Sequence, residues 1–287
     1  VHREGAGAVF NFILSAAKDL VIETATANDR QTLRYAQGEV KKHMYESTTY
    51  QYFEDVNWGL LRLWGGRKNL DVLDVGCGFA TTSQYIEREG NRVTGIESSA
   101  DAVAVARTRV SEVIQADLQS HPLEGRRFDV IIFADVLEHL AWPIGVLRSY
   151  LDLLKDGGSV IVSLPNVGLW SVRLNLLLGR FRYEETGVLD RTHLRFFTRR
   201  TAREMIESTG LEVIRRTYNP GLVRPFVPLA KKLLGGGSDD THDPSSLLES
   251  KPYKLYLKTI YPIERAIASA WPGALAFQMI FEARRKP

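Results

Sequence analysis

LDVLDVGCGF, Leu70 to Phe79, carries an apolar strand directly into a turn with two glycines, and the residues that follow have a helical pattern. Glycine at Gly76 and Gly78 lets the backbone turn tightly and approach a ligand with no Cβ in the way. Outward from this turn the chain alternates short apolar runs with helical patterns from Asn69 to about Tyr218, as a parallel α/β sheet does. A second strand is expected at Arg92 to Ile96 and a third near Glu112 to Ala116. Phe128 to Ala134 and Ser159 to Leu164 are continuous apolar runs, the pattern of central strands covered on both faces. Thr198 is placed to cap a helix ended by Gly210, Leu211 to Tyr218 reads as a further strand, and Ala274 to Arg284 as the last.

Acidic residues stand at the ends of the first three strands. Asp74 lies two positions before the first glycine, where it would repel a pyrophosphate but hold a cationic amino-acid headgroup. Thr81 occupies the place of the third glycine of a dinucleotide fingerprint, which also argues against a nicotinamide cofactor. Glu97, followed by Ser98, is placed to accept from ribose hydroxyls. Asp117 can accept from an exocyclic adenine amine while Leu118 packs on the ring. For any one of these acids a solvated loop residue is as good a reading; three at successive strand ends favour S-adenosylmethionine.

With these residues in place the chain resembles the class I S-adenosylmethionine-dependent methyltransferases, in particular those related to ubiquinone O-methyltransferases and those associated with glycosyltransferases. VLDVGCGFA resembles the first motif, GIESS the second-strand acidic motif, QADL the adenine motif and FDVIIFADVLEHL the fourth-strand motif. The resemblance runs from about Asp71 to Thr217. It implies a Rossmann-like α/β fold with a seven-stranded, mostly parallel sheet, helices on both faces and a final antiparallel strand. It also implies a cofactor set of Asp74, Gly76, Gly78, Glu97, Ser98, Asp117, Leu118 and Ala134.

After the fourth strand come Asp135, Glu138 and His139, and much later His193 in the block LDRTHLRFFT. The spacing of Asp135, Glu138 and His139 with the distant His193 resembles the divalent-metal site of plant small-RNA 2′-O-methyltransferases and ubiquinone O-methyltransferases. Mg²⁺, Mn²⁺, Zn²⁺ and Fe²⁺ all suit two carboxylates and two imidazoles. Asp135 is one methylene shorter than the acid of that pattern. Two other readings stand beside the metal: a metal-free histidine base, His139 or His193, or Glu138 and His139 as polar cap residues of a helix with His193 a hydrogen-bonded loop residue.

The expected organisation is an N-terminal helical segment over 1–66, a cofactor core over 67–218, an insertion over 219–273 with a flexible stretch at Gly235 to Ser250, and the last strand over 274–287. Pro165 to Tyr183 carries more apolar surface than a connection needs, so it is expected to form a lid or acceptor wall, or a helix packed on the sheet. Lys251, Lys254 and Lys258 interleave with apolar residues, a pattern compatible with peripheral membrane contact or with an exposed amphipathic helix. Ala8 to Ile22 is apolar but too short to span a bilayer and is expected to be an amphipathic helix. One cysteine, Cys77, excludes an intramolecular disulfide and suits a reducing, cytoplasmic setting. A net charge of +3 gives no sign of a nucleic-acid binder. The expected activity is O-methylation of a hydroxyl on a sugar, a glycolipid or a small secondary metabolite, with N-methylation and non-catalytic S-adenosylmethionine binding as rivals. Oligomeric state is not encoded in any feature of the sequence.

Overall fold

The computed structural model describes residues 56–119, 123, 125–222 and 251–286. Its elements in chain order are α1 (Trp58–Trp64), β1 (Asp71–Val75), α2 (Ser83–Arg88), β2 (Arg92–Glu97), α3 (Ala100–Ala106), β3 (Glu112–Gln115) and β4 (Phe128–Ala134). Then follow α4 (Pro143–Tyr150), β5 (Leu154–Pro165), α5 (Trp170–Leu177), α6 (Arg199–Glu207), β6 (Leu211–Pro220), α7 (Lys251–Ala270), α8 (Pro272–Leu275) and β7 (Ala276–Arg285). The strands form one seven-stranded sheet in the order β3-β2-β1-β4-β5-β7-β6. β1 to β5 are parallel, and β7 runs antiparallel to both β5 and β6. This is the mostly parallel sheet with a final antiparallel strand that the sequence implies.

Alternate side chains of each strand feed two cores. On one face Leu73, Val75, Ile131, Phe133, Val160 and Val162 pack with Val146 and Leu147 of α4 and Met205 and Ile206 of α6. On the other, Val72, Val130, Ile132, Ile161 and Ile280 pack with Leu60, Leu63 and Trp64 of α1, Ile86 of α2 and Val103 of α3. This double cover makes β4, the middle strand, an unbroken apolar run. α1 lies close on the sheet because Gly59 has no side chain: a Cβ there would stand 2.5 Å from Asn219 Oδ1 and 2.7 Å from Ile280 Cδ1.

Local signals place the helix ends as the sequence suggests. The Thr198 hydroxyl accepts from the Thr201 amide in a capping box, and Gly90 and Gly210 take positive φ just after helices. β5 begins at Leu154, earlier than its apolar run, and its register with β4 shifts between Phe128 and Val130. Among the described residues no helix is long and apolar enough to cross a membrane. The expected helix at Ala8 to Ile22, the flexible stretch at Gly235 to Ser250 and the side-chain pattern of Lys251 to Leu257 lie outside what the structure describes.

Candidate active site

The site lies where β1, β2, β3 and β4 end. Gly76 has φ +72°, and a Cβ on it would stand 2.5 Å from Val136 Cγ2, so the glycine turn packs directly against the loop after β4. The Gly76 and Cys77 amides both donate to the Ile96 carbonyl, at 2.8 and 3.0 Å, which ties the turn to the end of β2.

Asp74 is buried beneath the turn. The Ser83 hydroxyl donates to Oδ2, while Oδ1 is buried with no hydrogen-bond partner. Burial pushes its pKa up to about 6, opposed by the Ser83 hydrogen bond and assisted by the charge of Glu97. A buried acceptor left unsatisfied costs free energy, so Oδ1 is a position a cationic ligand group would complete. Glu97 is also buried. Its Oε1 accepts from the Ser98 and Ser99 amides at 2.7 and 2.8 Å, and its Oε2 from the Gly78 amide at 3.0 Å. Ser98 and Asp117 are exposed, Leu118 and Ala134 half-buried. The Tyr150 hydroxyl donates to the Leu118 carbonyl at 2.7 Å and so ties the loop after β3 to α4. Burial, with the Asp117 charge adding to it, pushes that phenol up to about 12.

Beside this pocket, ligand atoms of Glu138, His139 and His193 lie within 4.8 Å of one another. Glu138 and His139 sit in a single 3-10 turn, Leu137–His139. The block around His193 is brought to it by the Leu194 and Arg195 amides, which donate to the Glu138 carbonyl at 2.9 and 3.0 Å. Glu138 is 1% exposed, and neither carboxylate oxygen has a hydrogen-bond partner. Burial, with the Asp135 charge adding to it, holds its pKa well above the usual carboxylate range. Burial lowers both imidazoles, so they favour the neutral form. His193 Nδ1 faces the Val188 carbonyl at 3.2 Å, which puts the proton on Nδ1 and turns the Nε2 lone pair toward Glu138 Oε1 at 4.0 Å. His139 Nδ1 lies 3.3 Å from the Thr192 carbonyl and 3.1 Å from the Thr192 hydroxyl. That hydroxyl donates to Asp190 at 2.6 Å, so Nδ1 of His139 is again the protonated nitrogen.

The ligand set expected from the sequence included Asp135, whose carboxylate is not in the group that Glu138, His139 and His193 form. Its backbone takes φ +55°, and its carboxylate accepts from the Gln278 amide on β7. Gln278 in turn accepts from Asn219, which also donates to Asn57 Oδ1 at 3.0 Å, while Asn57 Nδ2 donates to Ser163 Oγ at 3.2 Å. No local sequence signal pointed to this chain of amides or to Tyr150.

A family model described as "Methyltransferase domain" matches residues 48–216. The chain belongs to this methyltransferase domain family. The resemblance read from the motifs is thereby confirmed, and S-adenosylmethionine as the cofactor agrees with the membership. Ubiquinone biosynthesis O-methyltransferase of Serratia proteamaculans (strain 568) is 33% identical over 117 residues, 37% of this chain and 47% of the relative. That of Sodalis glossinidius is 33% identical over 112 residues, 36% of this chain and 44% of the relative. The chain thus spans about half the length of the curated relatives it matches. Among solved structures, a SAM dependent methyltransferase from Archaeoglobus fulgidus aligns with TM-score 0.51 and 14% identity, over 79% of this chain and 91% of that one. The [4+2]-cyclase SpnF aligns with TM-score 0.50 and 19% identity, over 89% and 92%. These structural likenesses concern the fold; function has to be argued from the site.

Proposed function

We propose that this methyltransferase-family chain methylates a hydroxyl group on a sugar, a glycolipid or a small secondary metabolite, with Glu138, His139 and His193 acting on that hydroxyl. The observation that carries the reading is the convergence of a buried carboxylate lacking hydrogen-bond partners with two neutral imidazoles, on the loop that packs against the glycine turn. The names of the curated relatives, O-methyltransferases, agree with a hydroxyl rather than an amine.

Bound at the turn, S-adenosylmethionine supplies an electrophilic methyl carbon on a sulfonium. The protein's part is to hold the headgroup at Asp74 and the ribose at Glu97, to line up the acceptor oxygen and to remove its proton. An alcohol is a poor nucleophile at neutral pH, and a neutral imidazole is a suitable acceptor for its proton. The unpartnered oxygens of Glu138 and the Nε2 lone pair of His193 also fit a divalent cation, with His139 as third ligand. Two imidazoles and one carboxylate suit Zn²⁺, Fe²⁺ or Mn²⁺ better than the oxygen-seeking Mg²⁺. Such an ion would lower the pKa of the acceptor hydroxyl. The Val188 and Thr192 carbonyls would then orient the two imidazoles by holding their Nδ1 protons.

The test is methyl transfer to a panel of hydroxyl and amine acceptors, with and without chelator. His139→Ala and His193→Ala are expected to slow turnover by about 10² to 10⁴ with little change in affinity for S-adenosylhomocysteine. Activity that falls with chelator and returns with one divalent ion supports the metal, and Glu138→Ala should then be nearly as damaging. Near-normal turnover in both histidine variants would falsify the assignment.

A further inference from the structure

Asp190 opens the turn that leads to His193, and the methyl-transfer reading gives its side chain no part. It is 8% exposed, and among the described residues no cation pairs with it: its neighbour Arg191 pairs with Glu185. A carboxylate buried without a counter-charge has to be offset by hydrogen bonds. Both come from Thr192. Asp190 Oδ1 accepts from the Thr192 amide at 2.8 Å and from the Thr192 hydroxyl at 2.6 Å, the second a length typical of a hydroxyl on a carboxylate.

This arrangement gives the hydrogen bonds a direction. A carboxylate oxygen accepts and does not donate, so the Thr192 hydroxyl gives its one proton to Asp190. Toward His139 the hydroxyl oxygen can then only accept. His139 Nδ1 meets that oxygen at 3.1 Å and the Thr192 carbonyl at 3.3 Å, two acceptors on one residue. Together they hold the proton on Nδ1, keep the ring in one plane and leave the lone pair on Nε2. Without Asp190 the hydroxyl is free to turn and donate to Nδ1, which moves the proton to Nε2 and removes the lone pair there. The same residue seats the second imidazole. The His193 amide donates to the Asp190 carbonyl at 3.1 Å, and the Asp190 amide donates to the Gly187 carbonyl at 3.3 Å. Val188, inside this turn, holds His193 Nδ1 at 3.2 Å, and the two rings stand 4.7 Å apart at 72°.

We propose that Asp190 is the positioning residue of the cluster: through the Thr192 hydroxyl it fixes the tautomer and ring plane of His139, and through its main chain it seats His193 beside it. The inference rests on the reading that these imidazoles act on the acceptor hydroxyl, as base or as metal ligand, since either role uses the Nε2 lone pair.

The experiment reads the tautomer by NMR of the full chain with isotope-labelled histidine at about pH 8, above the ordinary imidazole range, the His139 signals being assigned by their loss in His139→Gln. The wild type is expected to carry the His139 proton on Nδ1. Asp190→Asn should match it, because the side-chain amide oxygen can take the place of Oδ1, whereas Asp190→Ala should show the proton on Nε2. Methyl transfer to the hydroxyl acceptor that the wild type turns over fastest gives the second readout. Asp190→Ala and Thr192→Val are expected to lower kcat about ten- to hundredfold with KM unchanged, and Thr192→Ser, which keeps the hydroxyl, to retain it. Calorimetry with S-adenosylhomocysteine, expected to be unchanged in all of these variants, shows that the fold is kept. An Nδ1 proton retained in Asp190→Ala, or wild-type kcat in Thr192→Val, overturns the proposal. Near-normal turnover in His139→Ala, with the tautomer shift of Asp190→Ala present, instead sinks the functional reading and keeps the hydrogen-bond role of Asp190.

Discussion

With the cofactor headgroup held at Asp74 as proposed, one proton couples stability to ligand binding. The folded pKa of Asp74, about 6, stands above the ordinary 3.8, so the folded chain holds this proton more tightly than the unfolded one does. The stability tied to that proton is complete below the unfolded pKa and is lost as pH rises through about 6, a difference of about 3 kcal/mol. Asp74→Asn is therefore expected to raise the thermal midpoint of the ligand-free protein at neutral pH while weakening its grip on S-adenosylmethionine. In the wild type a cationic headgroup competes with the proton, so affinity should fall by up to about tenfold per unit as pH drops below about 6. Calorimetry between about pH 5 and pH 7 checks this, and a flat profile would mean that the carboxylate does not meet the cation. Glu97→Ala removes the proposed ribose acceptor and leaves the Gly78, Ser98 and Ser99 amides without theirs. A ten- to hundredfold loss of S-adenosylhomocysteine affinity, about 1.5 to 3 kcal/mol, is expected. The acids themselves could be read from the sequence because strand ends are marked by local pattern. Their hydrogen bonds could not, since Glu97 meets Gly78 only when two strands lie side by side.

At the level of elements, Tyr150 shows how a helix supports a loop it does not adjoin in sequence. α4 carries the phenol beneath Leu118, where it also stands edge-on to Phe133 at 5.6 Å. Tyr150→Phe keeps the ring and loses the hydroxyl, so a weakening of S-adenosylhomocysteine binding worth about 0.5 to 1.5 kcal/mol is expected, with the histidine cluster unaffected. Unchanged affinity would leave Tyr150 as core packing. Helix caps and apolar runs announced most elements, whereas Leu154 to Gly158 hid the first part of β5 because its polar residues and glycines suit a turn as well as a strand. α5 was legible as an apolar excess, and whether it packed inward or faced solvent depended on the tertiary structure. Asp135 illustrates the same limit. The spacing that suggested a ligand says nothing of Gln278, which reaches it from a strand 143 residues away.

Across the whole molecule the two cores and the single sheet make β7 the common member. Four residues after Gln278, on the same side of that strand, Glu282 is buried between Arg67 and Arg215, at 2.7 and 3.1 Å. Burial works against its charge, but the Arg67 hydrogen bond and charge hold the carboxyl below its usual range. That stabilisation is present above the ordinary 4.5 and lost as pH falls further. Glu282→Ala is expected to cost about 3 kcal/mol and to lower the thermal midpoint, while S-adenosylhomocysteine affinity holds, because the pair lies away from the ligand. The position of β7 between β5 and β6 also has a bearing on synthesis. A ribosome releases this strand after all the others, and until then β5 and β6 each present an open row of amides and carbonyls where a partner strand belongs. Nascent chains at that stage can pair with one another, so a product stopped at Leu275 should collect in the insoluble fraction instead of appearing as a weakened enzyme.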